Sequence, residues 1–542
     1  MTQPTPVLLL VAGICLAGLL SERTGLPSPV VLVVGGLAVA AIPGVTTVTL
    51  DPDLVLTLVL PPLLYSAAID ASLLDFRANA RSIGLLSVGL VLATALLVGV
   101  VMHAVVPGLP LAAAFALGAI VAPPDAVAAI AIGRRAGMPT RLQTVIEGEG
   151  LLNDASALTI YAVAVAATTG GGFSFLEAGG QFLLESVGGL AVGLAVAWLI
   201  GRVRGRLEAP LVGNALSLAT PFLAYLPARA VHGSGVLAVV VCGLVLGHRI
   251  TTLLSGVSRL QTQPVWRLVT FLLEGGVFAL IGLQLPEILR GLEVYPVGKL
   301  VVWSLVLLAV VLLLRPVWIF PLTYLPRRLS LRLRERDPAP DFRIPLALSW
   351  AGIRGVVSLA AAFALPLRDD AGRPFPQRDL LLFLTFVVIL TTLLVQGLTL
   401  GQVLRGLGLR RDRQATLLAQ AAAQQASIEV ALRALDAAAA EQHAPDGVVE
   451  GLRTLAENRR NAGWERLTEA RAEHTGNGRD RHDDETTSAA WRRLRVMMLE
   501  AERAELLRLR NTGELPEDAM RELQTRLDLE EAGLQRDPQG SA

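Results

Sequence analysis

Between Pro6 and Val403, apolar runs of about twenty residues follow one another, separated by short loops that hold most of the arginines. A helix needs about 20 mostly apolar residues to cross a bilayer core. At that depth only helices and closed barrels satisfy every backbone polar group. The alternating segments of about 10 residues that a barrel requires are not seen. The count of runs is about thirteen, and a composition 53% hydrophobic and 17% charged agrees with it. The chain therefore reads as an all-α polytopic membrane protein of about 13 transmembrane helices. The first run, Pro6 to Leu20, has no basic segment before it and reads as a retained helix, not a cleaved signal. Cys15 and Cys242 both lie in apolar runs without metal-like spacing, so no disulfide framework or metal site is implied.

The arginines predict orientation. With the N-terminus outside, the inside loops hold Arg23; Arg77 and Arg81; Arg134, Arg135 and Arg141; Arg202, Arg204 and Arg206; and Arg249, Arg259 and Arg267. The last inside loop adds Arg327, Arg328, Arg332, Arg334, Arg336 and Arg343, whereas outside loops have only Arg229, Arg290, Lys299, Arg368, Arg373 and Arg378. That asymmetry implies an odd number of spans and a cytoplasmic C-terminus.

Composition divides the chain into a transmembrane region, residues 1–405, and a cytosolic C-terminal tail, residues 406–542. In the tail, Arg410, Arg411 and Arg413 lead into an Ala/Gln-rich run, Ala415 to Glu441, and then into charged sequence. Thr487 to Leu509 and Pro516 to Leu534 have helical periodicity, and the polar gap from His474 to Thr487 reads as disordered. In the transmembrane region, a pair of spans is interrupted. Leu111 to Ile132 is broken by Ala122-Pro123-Pro124-Asp125, where two prolines remove two backbone donors and free carbonyls upstream. Ile344 to Leu365 is broken by Trp350-Ala351-Gly352-Ile353-Arg354-Gly355. They are the fifth and twelfth spans, and an odd offset gives them opposite topology, as inverted repeats with two discontinuous crossing helices require. Transporters of that construction place their site at mid-membrane where such helices meet.

The run Gly148-Glu149-Gly150-Leu151-Leu152-Asn153-Asp154 puts two carboxylates and an amide inside the span Leu142 to Ala167. A charge at that depth costs at least about 2.5 kcal/mol, so such residues face a cavity, pair, or hold an ion or proton. On a helix Glu149 and Asn153 share a face, while Asp154 points about 140° away from Glu149. Glu149 is expected to pair with Arg354, the basic residue beside the second helix break, as a structural core ion pair. Asp154 is left without a permanent counter-ion. A lone buried carboxylate resists ionisation, so near neutral pH it can exchange a proton, or trade it for a small cation. Competition of that kind at an alternating-access site is antiport. Asp125, at the helix break, lies near the same midplane. No P-loop is present, so the driving force is an ion gradient.

Glu147-Gly148-Glu149-Gly150-Leu151-Leu152-Asn153-Asp154 resembles the acidic-Asn-Asp signature of the first monovalent cation–proton antiporter family, the bacterial and animal sodium/proton exchangers. Leu60-Pro61-Pro62-Leu63-Leu64, Pro123 to Ala128, Phe271 to Gly275, Phe278 to Gln284 and Gly352 to Ser358 are similar to that family's features. The match covers about the first 400 residues, and Arg493 to Arg510 with Leu527 to Glu531 resembles the bacterial branch's tail. The resemblance implies electroneutral exchange of one Na+ for one H+ by a homodimer, in a bacterial inner membrane, for pH homeostasis. A core domain of each protomer would move against a dimerising domain. Na+ and H+ would be transported ions, with no cofactor and no nucleic acid. On the matching residues it implies that Asp154 carries ion or proton beside Asn153, that Asp125 is the aspartate of the broken helix, and that Glu149 and Arg354 are the structural acid–arginine pair. This chain departs where many relatives have Ser and it has Gly150, and where they have a hydroxyl and it has Pro124; both changes delete cation ligands. Relatives also often have an acid where Arg229 follows Tyr225-Leu226-Pro227-Ala228.

Ser358, Pro124, Glu147 and Glu274 are secondary candidates: Ser358 lies one turn after Arg354, Glu147 suits the cytoplasmic mouth, and Glu274 suits packing or gating. His103 reads as a solvated histidine, and the stripe Gly189, Gly193, Ala197 as helix packing, within the chain or at a dimer contact. Exchange of K+ or Li+ for H+ is the nearest alternative function. A cation channel would ignore a pH gradient. Organic-solute symport lacks an aromatic box in a chain with 5% aromatics. No Ser-His or His-metal set suggests an enzyme.

Overall fold

The computed structural model describes residues 5–24, 27–42, 55–170, 175–207, 209–254, 256–329, 335, 339–409, 413–442, 446–474, 487–512 and 517–535. The gap 475–486, Pro516, and Arg332, Arg334, Arg336, Arg410 and Arg411 lie outside them. The chain divides into two compact units, Met1–Arg411 and Asp412–Ala542.

Among the described residues the first unit is helical, with one isolated bridge, between Arg368 and Pro374. Its helices are α1 (Thr5–Thr24), α2 (Ser28–Ala40), α3 (Leu60–Asp70), α4 (Ala80–Val105), α5 (Leu111–Val121), α6 (Ala126–Arg135) and α7 (Thr140–Thr169). They continue with α8 (Phe175–Arg204), α9 (Pro210–Ala230), α10 (Gly235–His248), α11 (Gly256–Gly291), α12 (Val297–Leu329), α13 (Arg343–Trp350), α14 (Val356–Phe363) and α15 (Arg378–Gly406). Eight spans among the described residues are long and apolar enough to cross a membrane, with α5 and α6 counted as one. That is fewer than the thirteen runs counted in the sequence: α2, α3 and α10 are apolar but shorter, the second broken helix is divided, and α1 is not among the eight.

Two apolar clusters hold this unit together. One joins α1, α2, α4 to α7 and α11 to α15; the other gathers α3 and α8 to α10 around Tyr65, Val239 and Trp266 of α11. α7 belongs to both, as do α3 through Leu63 and α11 through Trp266: on α7, Leu142 and Ile146 face the first cluster, Leu151 and Ala155 the second. Side chains pointing away from both clusters, such as Leu184, Val187 and Trp198 on α8 and Leu305 and Val317 on α12, are exposed and apolar, as lipid contact requires. The stripe Gly189 and Gly193 packs within the chain: a Cβ at either would meet the backbone of α10, at Ser234 O (2.5 Å) and Ala238 O (2.6 Å). His103 Nδ1 lies 2.7 Å from Leu109 O, and Arg229 sits over the Tyr225 ring.

The second unit consists of helices α16 (Arg413–Gln442), α17 (Asp446–His474), α18 (Thr487–Asn511) and α19 (Glu517–Gln535). α16 and α17 pair through Gln424 and Arg453; α18 and α19 pair through Arg495 on Glu530 (2.6 Å) and Arg503 on Asp528 (2.6 Å).

Candidate functional site

The two interrupted helices cross. α5 stops at Val121 because Pro123 and Pro124 can donate no amide hydrogen to continue it, and α6 restarts at Ala126. α13 stops at Trp350, and Gly355 leads into α14. The extended segments touch where Asp125 N–H donates to Ile353 O at 2.6 Å. Gly355 permits this: a Cβ there would fall 1.7 Å from Asp125 Oδ2.

Charges sit where the half-helix dipoles ask for them. Asp125 caps α6, accepting from Ala128 N–H at 3.1 Å, and the amide of Val356, at the start of α14, also faces its carboxylate. One carboxylate thus serves two helix N-termini. Each C-terminal half-helix end meets a buried arginine. Arg354 Nη1 donates to Ala122 O, just past α5, at 2.6 Å, and Arg315 Nε donates to Leu348 O, in the last turn of α13, at 3.1 Å. The prolines' own carbonyls also meet polar side chains: Asn153 Nδ2 donates to Pro124 O at 3.1 Å, and Ser358 Oγ lies 3.5 Å from Pro123 O.

Glu149 corrects the sequence reading. It pairs with Arg315 of α12, not with Arg354: Nη1 and Nη2 reach its two carboxylate oxygens at 2.6 and 2.8 Å, with both side chains almost fully buried. Arg354 is spent on Ala122 O, and its amide donates to Thr392 Oγ1 at 3.0 Å. A planar fork aimed at a carboxylate from across the bundle makes the stronger, bidentate contact. Sequence reasoning missed Arg315 because it weighed only basic residues near a helix break. The signal was there: an arginine beside Pro316 after an unbroken apolar run from Leu305.

Asn153 and Asp154 are buried on α7, and Asn153 Oδ1 has no donor facing it among the described residues. Asp154 and Asp125 line one cavity of about 310 Å³ that lies between the two apolar clusters. Its walls include Pro124, Gly150 and Ser358 near the crossing, Ser66, Thr270 and Glu274 across from them, and Asp70, Arg134 and Glu147 toward one end. Arg134 and Glu147 pair there at 3.1 Å, and Thr270 donates to Ser66 at 3.2 Å. Of the candidate site residues, Asp125, Asp154, Pro124, Glu147, Glu274 and Ser358 line this cavity, whereas Asn153, Glu149 and Arg354 brace the crossing behind it. Gly150 lies against α6, where a Cβ would come within 2.4 Å of Ala126 Cβ. The arrangement can offer a small cation carboxylate oxygens and polar neighbours in an otherwise dry interior.

Residues 7–406 match the family described as sodium/hydrogen exchanger, transmembrane. An uncharacterized Na(+)/H(+) exchanger of Mycobacterium tuberculosis is 35% identical over 531 residues, 97% of this chain and 95% of the relative. A sodium, potassium, lithium and rubidium/H(+) antiporter of Bacillus subtilis is 36% identical over 328 residues, 58% of this chain and 48% of the relative. The structure of the sodium proton antiporter MjNhaP1 from Methanocaldococcus jannaschii superposes with a TM-score of 0.58 at 21% identity, covering 73% of this chain and 97% of that one, and so shares the fold.

Proposed function

This chain belongs to the sodium/hydrogen exchanger family, and we propose that it exchanges Na+ for H+ across a bacterial inner membrane, one for one, with Asp154 as the group that holds either ion. The observation that carries this reading is the charge inventory at the crossing. At the crossing Arg315 and Arg354 are set against Glu149, Asp125 and Asp154, which leaves one negative formal charge, with Glu274 on the facing wall counted in this reading as protonated. A single monovalent cation or a single proton neutralises it, and a site neutral with either ion favours electroneutral exchange. Asp154 is the member of that set with no fixed partner in this reading; Asp125 is held by helix N-termini and Glu149 by Arg315.

Asn153 Oδ1, Asp125, Ser358 and the carbonyl of Pro124 are the neighbours from which further cation ligands would come. Glu147 would draw cations to the mouth, and Glu274 would face the ion from the opposite wall. The arginine asymmetry supports an outside N-terminus and a cytoplasmic C-terminus, so that the Arg134–Glu147 end of the cavity opens inward. The exposed apolar faces of α8 and α12 leave room for both lipid and the partner of a homodimer.

A second reading is K+/H+ exchange. It is favoured by Gly150 and Pro124, which supply no hydroxyl to discriminate ions, and by the Bacillus relative, whose name includes potassium and rubidium.

Proteoliposomes containing a pH-sensitive dye test both. Collapse of an imposed pH gradient by Na+ or Li+ supports the first reading, and collapse by K+ alone supports the second. Asp154→Asn keeps nearly the same volume but cannot exchange a proton, so flux should vanish in protein that still inserts. Substantial cation-dependent proton flux from well-expressed Asp154→Asn would end the assignment.

A further inference from the structure

At the end of the bundle where α4 and α7 begin and α12 ends, a pocket of about 90 Å³ lies apart from the exchange cavity. Arg81 in the first turn of α4, Arg141 in the first turn of α7 and Arg327 in the last turn of α12 converge on it from three elements. Arg327 is buried and directed along its own helix end, where Nη1 donates to Thr323 O; Arg81 and Arg141 are exposed and form the rim. The floor is apolar, with Leu86, Val145, Ile319 and Leu348. Aromatic side chains with polar tips flank it on α12: Trp318 Nε1 donates to Leu85 O at 3.2 Å, and Tyr324 O–H donates to Pro340 O at 3.1 Å. Such residues collect at the level where hydrocarbon gives way to headgroups.

We propose that this pocket binds a phosphate group, presented by an anionic lipid headgroup or as the free anion, clasped by Arg81, Arg141 and Arg327. The volume has room for several waters or for one tetrahedral oxyanion. Guanidinium forks match phosphate oxygens, and basic pockets between helices at the membrane surface take anionic headgroups. The bound group would also act as a tie. Arg141 lies about 12 Å along α7 from Glu149, and Arg327 about 18 Å along α12 from Arg315. The phosphate would therefore join α4, α7 and α12 at their ends, adding to the tie that the Glu149–Arg315 pair makes between α7 and α12 further along the bundle.

The test uses the purified full-length protein in detergent. Native mass spectrometry follows binding of phosphatidylglycerol or cardiolipin, and scanning fluorimetry in lipid-free detergent follows protection by inorganic phosphate. Wild type is expected to bind, and Arg141→Gln with Arg327→Gln to bind at least about tenfold more weakly, since each lost charge-assisted bond is worth that much. Arg206→Gln, an exposed arginine outside the pocket, should leave binding unchanged. Arginine-dependent binding of lipid alone identifies the headgroup as the source, and arginine-dependent protection by inorganic phosphate identifies the free anion; either supports the pocket. If the double variant does not fold, Arg81→Gln at the exposed rim replaces it, with the same readings. Wild type that binds neither ligand, or variants that bind both as tightly as wild type, would overturn the proposal.

Discussion

Replacing Arg315 should destabilise the membrane unit more than replacing Arg354, and the reason is where each guanidinium ends. Arg315→Gln removes both hydrogen bonds to Glu149, at 2.6 and 2.8 Å, while the amide nitrogen stands where Nε stood and can keep the bond to Leu348 O. Glu149 is 1% exposed, so its carboxylate is stranded in the interior. Breaking a buried pair costs about 3–5 kcal/mol. Proton uptake by Glu149 would recover some of this. Arg354→Gln removes the donor to Ala122 O, which the shorter amide does not reach and which costs on the order of 1 kcal/mol, but it takes no hydrogen-bonded partner from a carboxylate. In a unit of this size the Arg315→Gln loss corresponds to a fall in Tm on the order of 5–10 °C. Scanning fluorimetry of detergent-purified protein at one fixed scan rate reads it, because unfolding of a membrane protein is often irreversible. Glu149→Gln should produce a similar fall, and Glu149→Gln with Arg315→Gln should be milder than the two falls added, with a coupling of up to about 3 kcal/mol. Additive falls would refute the pairing. Stronger coupling of Glu149 to Arg354 than to Arg315 would refute the geometry altogether.

Gly355→Ala should abolish exchange in protein that still inserts, because its Cβ would fall 1.7 Å from Asp125 Oδ2 and must displace that carboxylate; wild-type flux in proteoliposomes would contradict this. Gly150→Ser restores a hydroxyl but places Cβ 2.4 Å from Ala126 Cβ, so it should lower Tm and leave cation affinity no better. A lower Km for Na+ at unchanged Tm would show that α6 yields freely. If proton and Na+ compete for Asp154, the apparent Km for Na+ rises as pH falls, with a limiting slope of about tenfold per pH unit. A Km constant across the acidic limb would place proton action elsewhere.

The crossing was legible in the sequence because broken helices announce themselves locally. Adjacent prolines and a Gly-flanked arginine mark where hydrogen bonding must stop, and a carboxylate inside an apolar run marks where a cavity must be. Pairing across the bundle was not legible. Helical periodicity says that Glu149 and Asp154 diverge, yet it does not say which distant helix supplies the cation to Glu149. Arg315 lies 166 positions further along the chain, and its reach is set by how α12 packs against α7 and α13. The steric cost of Ser at position 150 was also invisible, since Ala126 becomes its neighbour only when α6 folds back beside α7.

If exchange requires one apolar cluster to slide over the other, the contacts of α7 say which surfaces would move. On one side it is tied by directional bonds: Glu149 to Arg315, and Asn153 to Pro124 O beside the Arg354–Ala122 contact. Such bonds have one good geometry, so α5, α6, α7, α12 and α13 should move together. On the other side Leu151 and Ala155 meet the Tyr65 and Val239 cluster through apolar contact alone. Apolar contact is non-directional and is roughly conserved when one surface shifts over another. Asp154 sits between those two residues, at the border of both kinds of contact. A shift along that seam would carry Asp154 past the wall containing Ser66, Thr270 and Glu274 without breaking a buried ion pair. The ion pair at Glu149 would then belong to the moving body, and Asp154 would be the charge that has to be neutralised before it can travel.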